Sequence, residues 1–541
     1  TLNTAYAILS GLVGSEMCIR DRFLLEAMAR EAGVEDCAVA HDAAWGFDII
    51  GQLSGSPDYP EVDVAPTLSA SGLECMAPEL QETAELGGMN HSDDAVCREL
   101  LAATLAEVKA KNMSGPYTKE QLQAKYGEAW IPSPRFPRVT QRSPEQVARG
   151  EDPQKVRAID DFTRSCVNAA TGQSFRGELD GVDELAAVAS QVVAARLASG
   201  SPLRDAGGDE RELIAHPSWE VPGEGAVVAQ ALDLSGAYRQ VAVRTDQQRF
   251  SIVACWNPDS GETEFFELTG MAFGTRGSVS AFARVGRTLQ IILHKLFDVV
   301  VTVYVDDFVV VEPAETAQSA VDTVKRVFKL LGWKEKDMDG TPSAKCPALG
   351  VLLDLSMAHE GLVRVANKAS RVASIQATIA KALEEGQLSR REGEDLLGRL
   401  VYASGQTYAR MGSAAASVLR EHIRHRSPEL KPRAIWALRW WSSFLDTAQP
   451  RALASEPCPH PYVLLTDGAV EGDQSTMGGV LVSPDGRMQH FGAQLPETLV
   501  ARWAADASMK SAHVIGQAEL IPVLVAYFIW ARELELSLIH I

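Results

Sequence analysis

Val301-Thr302-Val303-Tyr304-Val305-Asp306-Asp307-Phe308-Val309-Val310-Val311 is the stretch that decides how this chain folds. β-Branched and aromatic residues suit a pleated, half-buried strand, whereas acids do not. Two Asp between two Val-rich runs therefore predict a hairpin with the acids at its tip, within reach of solvent and metal. Taken alone, such a pair is most often a solvated turn. A second acid upstream changes the reading. Ala231-Leu232-Asp233-Leu234-Ser235-Gly236-Ala237-Tyr238 ends another strand-like run in an Asp and places an aromatic residue five positions later.

Carboxylates carried on separate strands are what two-metal phosphoryl transfer requires, because they hold two divalent ions about 4 Å apart. Asp233, Asp306 and Asp307 are thus the candidate catalytic residues and metal ligands. Mg²⁺, or Mn²⁺ in its place, is the expected ion. A hard cation that keeps several waters needs only a few carboxylates plus the substrate phosphates.

On these residues the chain resembles the reverse transcriptases of retroelements, and the motifs follow in the family's order. The run from Lys155 to Phe162 is similar to the fingers motif Lys-x-Arg-x-x-x-Asp-Phe. The resemblance implies that Arg157, with Lys155 beside it, grips the incoming triphosphate. The Leu-Asn that usually follows arrives two residues late, as Val167-Asn168. Ala272 to Phe282 resembles motif B, with Ala272 and Val279 where the family has prolines. It implies that Gly274 and Arg276 contact the nascent base pair, and glycine suits a backbone that must come close to it. Tyr238 stands where the family places a steric gate against ribonucleotides. Phe328 to Trp333 and Ala348 to Asp354 resemble motifs D and E, the latter a primer grip. Lys334, Lys336 and Lys345 lie within reach of the site, but none matches a pattern, and lysine is ordinarily solvated.

With 541 residues the chain is too long for one core, and its 46% apolar content is that of a globular protein. A net charge of −20 excludes a uniformly basic coat for nucleic acid, so any template grip must come from local patches. Two are present, one from Lys109 to Arg157 and one from Arg364 to Arg433. The apolar periodicity from Asn367 to His425, broken near Gly386 and Gly405, predicts two or three helices of a thumb. The eight cysteines form no Cys-x-x-Cys pair and the eleven histidines no cluster, so no zinc knuckle or disulfide framework is expected. An intracellular setting, cytoplasmic or nuclear rather than secreted, follows. No apolar run reaches about 20 residues, so no membrane partner is expected.

Past Pro450, Pro461 to Ala469 resembles the first strand of a ribonuclease H domain, with Asp467 its first ligand. Met477 to Val482 would be the second strand, and Gln517 to Leu520 the helix that supplies Glu519. The family needs two further acids, which are not found before Ile541, so the expectation is a partial site whose activity is lost by truncation. Leu12 to Arg22 and Leu536 to Ile541 resemble sequencing-adapter read-through.

The expected fold is α+β, a right-hand polymerase of fingers, palm and thumb with an antiparallel palm sheet, followed by a partial ribonuclease H-like α/β domain. The expected division is 1–22 non-native, 23–100 an N-terminal helical region without evident chemistry, 101–360 fingers and palm, 361–450 helical thumb or connection, 461–535 ribonuclease H-like, and 536–541 a non-native tail. The activity implied is RNA-directed DNA polymerisation by a retrotransposon-type enzyme of the DNA/RNA polymerase superfamily, with an RNA template, a DNA primer and dNTPs as partners. Two other readings stand beside it. One is a decayed retroelement fragment that binds RNA–DNA hybrid without turnover; the other is an RNA-dependent RNA polymerase, which Tyr238 disfavours.

Overall fold

Val-rich runs form the central strands and long apolar periodicities form the helices, giving a mixed fold of helices and several sheets. The computed structural model describes residues 19–85, 93–142, 147, 150, 152–197, 202–204, 210–212, 226–336, 340–407, 411–425, 427–455, 461–471, 474–504 and 514–538. The chain divides into two compact units, residues 1–359 with 364–451, and residues 360–363 with 452–541.

In the first unit the strands that frame the site are β1 (Met113–Tyr117), β2 (Pro132–Gln141), β3 (Gln154–Asp160), β4 (Val227–Asp233), β5 (Ile252–Asn257), β6 (Glu262–Leu268), β7 (Val301–Tyr304), β8 (Asp307–Pro313), β9 (Lys345–Ala348), β10 (Val351–Asp354) and β11 (Leu362–Asn367), the last of which belongs to this unit from Arg364 onward. A mixed five-stranded sheet runs β1-β6-β5-β2-β3, its β5–β2 pair being parallel. The decisive sheet is smaller, with order β7-β8-β4, and is antiparallel throughout. Its middle strand β8 is buried from Phe308 to Pro313. A strand covered on both faces is apolar at successive positions rather than alternating, as Phe-Val-Val-Val shows.

The principal helices of this unit are α1 (Ile19–Glu31), α2 (Val39–Trp45), α3 (Asp94–Lys109), α4 (Arg276–Phe297), α5 (Ala314–Leu330), α6 (Ala369–Glu385), α7 (Arg390–Ser404), α8 (Ser413–Arg424) and α9 (Pro432–Thr447). The Thr275 hydroxyl caps α4, accepting from Ser278 N at 3.0 Å. Helix α4 is buried on nearly all sides, and Phe282, Leu289 and Ile292 join β7 and β8 in one core with residues of the N-terminal region. Helices α6 to α9 enclose a second core around Leu396, Leu400, Leu419 and Trp441. Three of them fall between Asn367 and His425. Gly386 ends α6 at φ 66°, and α7 stops at Gly405, the two breaks the periodicity predicts.

The N-terminal region differs from its helical expectation. Gly51–Gln52 and Glu61–Val64 are strands that pair with Thr171–Phe175. It also grips α4. Arg284, 3% exposed, donates to Asp36 at 2.6 and 2.9 Å and to Asp42 at 2.7 Å, while the Tyr59 hydroxyl donates to the Ala283 carbonyl at 3.0 Å. Helix α1 starts at Ile19, so the tract set aside at 1–22 overlaps its first turn; residues 1–18 lie outside the described residues.

The second unit contains an antiparallel sheet β12 (Val463–Glu471), β13 (Gln474–Val482) and β14 (Met488–Gln494), covered by α10 (Val514–Ile529). Leu481, Ala526 and Trp530 form its core. Strand β14 lies beyond the two strands expected from sequence. A last helix, Ala531–Leu538, takes in the first three residues of the tract 536–541, and the rest of that tract lies outside the described residues.

Candidate active site

Strand pairing brings the acids together. Asp307, the first residue of β8, stands directly opposite Asp233, the last of β4, and also opposite Tyr304 at the end of β7. Directly opposed side chains share one face of a sheet with their Cβ atoms about 5 Å apart. Asp306 occupies the two-residue turn between β7 and β8, where Val305 adopts φ 58°. A β-branched residue at positive φ is strained, and such strain gathers at functional sites. The hairpin tip is therefore formed as the sequence predicts, with one refinement: Asp307 already belongs to the strand and only Asp306 to the turn.

The cluster carries more negative charge than its surroundings balance. Burial, and then the neighbouring Asp233, raise the pKa of Asp306 above the ordinary carboxylate range. Burial raises Asp307 as well, helped by Asp306 and Asp233 and opposed by Lys368 and Lys336. Lys336 is the basic residue the sequence could not single out. Its Nζ lies 3.1 Å from Asp233 Oδ2, because Lys336 N bonds the Asp233 carbonyl and Glu335 bridges to Leu234, so the 334–336 segment runs beside the end of β4. Lys345 instead faces Asp354 at 3.9 Å. Among the described residues no group of three or more His, Cys, Asp or Glu side chains is placed to hold a metal ion by itself. An open, electron-rich set of carboxylates suits a hard divalent ion completed by substrate oxygens and water.

Tyr238 lies in a short 3₁₀ turn after β4 and is 8% exposed. It packs edge-on against Phe273 at 4.7 Å and Phe282 at 5.6 Å between ring centroids. Its hydroxyl is pushed up to about 12, by burial first and then by the charge of Asp306. Phe273, 51% exposed, forms the outer surface of this aromatic group and has no role in the sequence reading.

Gly274 and Arg276 flank the start of α4. Gly274 has φ 95°, and a Cβ there would stand 2.9 Å from the Asp160 carbonyl; at Gly277 it would meet Asp48 O at 2.8 Å. Both glycines are thus required by the protein's own backbone, a reason different from the close approach of a base pair read in the sequence. Arg276 is exposed, and its backbone N donates to Asn168 Oδ1 at 3.0 Å. Asn168 also donates to the Gly274 carbonyl at 2.9 Å. The late Asn therefore fastens the loop after β3 to the loop before α4.

Lys155 and Arg157 are exposed on β3, opposite Thr140 and Arg138. No contact joins either side chain to the Asp cluster among the described residues. The sequence reading missed what lies beneath them. Asp160 is 7% exposed and accepts from Arg135 at 2.7 and 3.0 Å and from Arg239 at 3.4 Å. Arg135 is fully buried and reaches Thr104 and Glu107 on α3. One signal was legible, since Asp160 has the inward parity of β3, two residues past Ala158.

In the second unit, Asp467 on β12 and Glu519 on α10 are both exposed. Gly468 packs so closely on Ala518 that a Cβ would collide with its carbonyl. The two acids flank that contact, one on each element.

No family model and no curated protein matches the chain. Among solved structures it is similar to one described as the foamy viral protease-reverse transcriptase dRH in complex with ds DNA, at 13% identity and a TM-score of 0.42. The likeness covers 76% of this chain and 58% of that one, so the chain spans little more than half the length of its structural neighbour.

Proposed function

We propose that the chain is an RNA-directed DNA polymerase that adds deoxynucleotides to a primer 3′-hydroxyl on an RNA template. The observation that carries this reading is the register that sets Asp233 opposite Asp307, with Asp306 in the adjoining turn. Asp233, Asp306 and Asp307 would hold Mg²⁺, whose chemistry when bound is to activate the attacking oxygen and stabilise the leaving one. Catalysis of this kind is mainly positioning and electrostatics. Arg157 and Lys155 steady the triphosphate, which their exposure on β3 permits. Tyr238 and its aromatic neighbours close the space beside Asp306 against a 2′-hydroxyl. Asn168 holds the Gly274–Arg276 loop that borders the nascent pair.

Primer extension on poly-rA/oligo-dT with Mg²⁺ tests the reading. The expected result is incorporation of dTTP but not UTP, abolished by Asp306→Asn. Equal use of UTP would make the chain an RNA polymerase, and hybrid binding without extension would make it a non-catalytic binder. In the second unit, Asp467 and Glu519 are proposed as carboxylates of a ribonuclease H-like site. The expected result is no release of RNA from a labelled hybrid, because the site is partial; release that Asp467→Asn abolishes would overturn that expectation.

A further inference from the structure

The loop between β9 and β10 consists of Leu349 and Gly350, both at positive φ, 45° and 78°. Two-residue hairpin turns of this hand fit the twist of their strands, and Asn-Gly is their preferred sequence. Leu is a poor occupant of that backbone conformation. The turn therefore depends on contacts from outside the hairpin, and the helices that follow supply them. The Tyr402 hydroxyl on α7 donates to the Leu349 carbonyl at 2.5 Å. The Arg371 guanidinium on α6 lies 4.2 Å from the Tyr402 ring centroid, and its tip packs against Gly350. Asn367, at the end of β11, donates to the Ala403 carbonyl at 2.9 Å and ties the same hairpin sheet to α7.

On its other side the turn borders a cavity of about 410 Å³ whose lining includes Tyr304, Asp307, Leu349, Gly350 and Tyr402. A strained turn held from behind by a helix thus faces the catalytic hairpin across a space open to a ligand. We propose that Tyr402 is a positioning residue that holds the Leu349–Gly350 turn in place and so sets where the primer 3′ end meets Asp307. The proposal rests on the polymerase reading. Tyr402→Phe removes only the hydroxyl and keeps the ring beneath Arg371.

The test measures primer extension by the full chain with primer–template and dTTP varied separately, together with the thermal midpoint. Tyr402→Phe is expected to raise KM for primer–template about three- to tenfold, the loss of one neutral hydrogen bond. KM for dTTP stays as it was, and the midpoint falls only by what the loss of one hydrogen bond implies. Adding Leu349→Asn, which creates an Asn-Gly turn needing no outside hold, restores the primer KM. An unchanged primer KM, equal rises in both KM values, or no rescue by Leu349→Asn would overturn the proposal. Asp306→Asn, run alongside, reports on the polymerase reading alone, so the two failures are told apart.

Discussion

Asp306 weakens the fold that carries it. Burial and Asp233 hold its pKa above the ordinary range, so the folded state binds its proton more tightly than the unfolded chain does. Its contribution to stability is fully present below the unfolded value, about 3.9, and is lost as the pH rises through the higher folded value. Once ionised, the side chain destabilises the fold. Asp306→Asn is therefore expected to raise the thermal midpoint in the absence of metal while it abolishes extension; a lowered midpoint would show that this carboxylate stabilises the fold. Gly274 makes a related point. The sequence suggested why a glycine belongs there, but the carbonyl it must clear is that of Asp160, more than a hundred residues earlier.

Elements legible in one window of sequence were read well, and those made by distant pairing were not. The hairpin of β7 and β8 and the breaks at Gly386 and Gly405 follow from residues within a few positions of each other. The strands at Gly51–Gln52 and Glu61–Val64 exist because Thr171–Phe175 offers them a partner, which no local pattern announces. Asn168 joins two loops 106 residues apart, from Asn168 Nδ2 to the Gly274 carbonyl. Asn168→Ala should free the start of α4 and raise KM for dTTP more than KM for primer–template, at a stability cost of about 1–3 kcal/mol. Steady-state kinetics with each substrate varied, together with urea unfolding, checks this. The basic stretch from Arg364 to Arg433 is also less free than its sequence implies, since Arg390, Arg399 and Arg433 pair with Glu394, Asp395 and Glu421.

The two compact units have separate cores, one set around β4, β8 and α4 with the bundle of α6 to α9, the other around Leu481 and Trp530. Calorimetry should resolve their unfolding, and Asp160→Asn should identify the first unit. Breaking a buried ion pair costs about 3–5 kcal/mol, so this substitution should lower one transition and leave the other. Burial pushes the Asp160 pKa up, but Arg135 and Arg239 outweigh it and hold the carboxyl below the ordinary range. Its contribution is therefore present above about pH 3.9 and lost as the pH falls through the lower folded value. The first transition should lose this acid-sensitive component in the Asp160→Asn variant. Among the described residues no helix is long and apolar enough to cross a membrane.

The sequence by itself determined the hairpin that carries Asp306 and Asp307, the strand that ends in Asp233, the helical stretch from Ala369 to Arg424 and the strand and helix that carry Asp467 and Glu519. These depend on period, turn chemistry and residue type, all of which act over a few residues. Only the tertiary structure decided that Asp233 stands opposite Asp307, that Lys336 pairs with it, that Asp160 is enclosed by two arginines, and that Tyr402 holds the Leu349–Gly350 turn. Each of these depends on register or packing between segments far apart in the chain, where the energy lies in burial and pairing and leaves no periodic trace along the sequence.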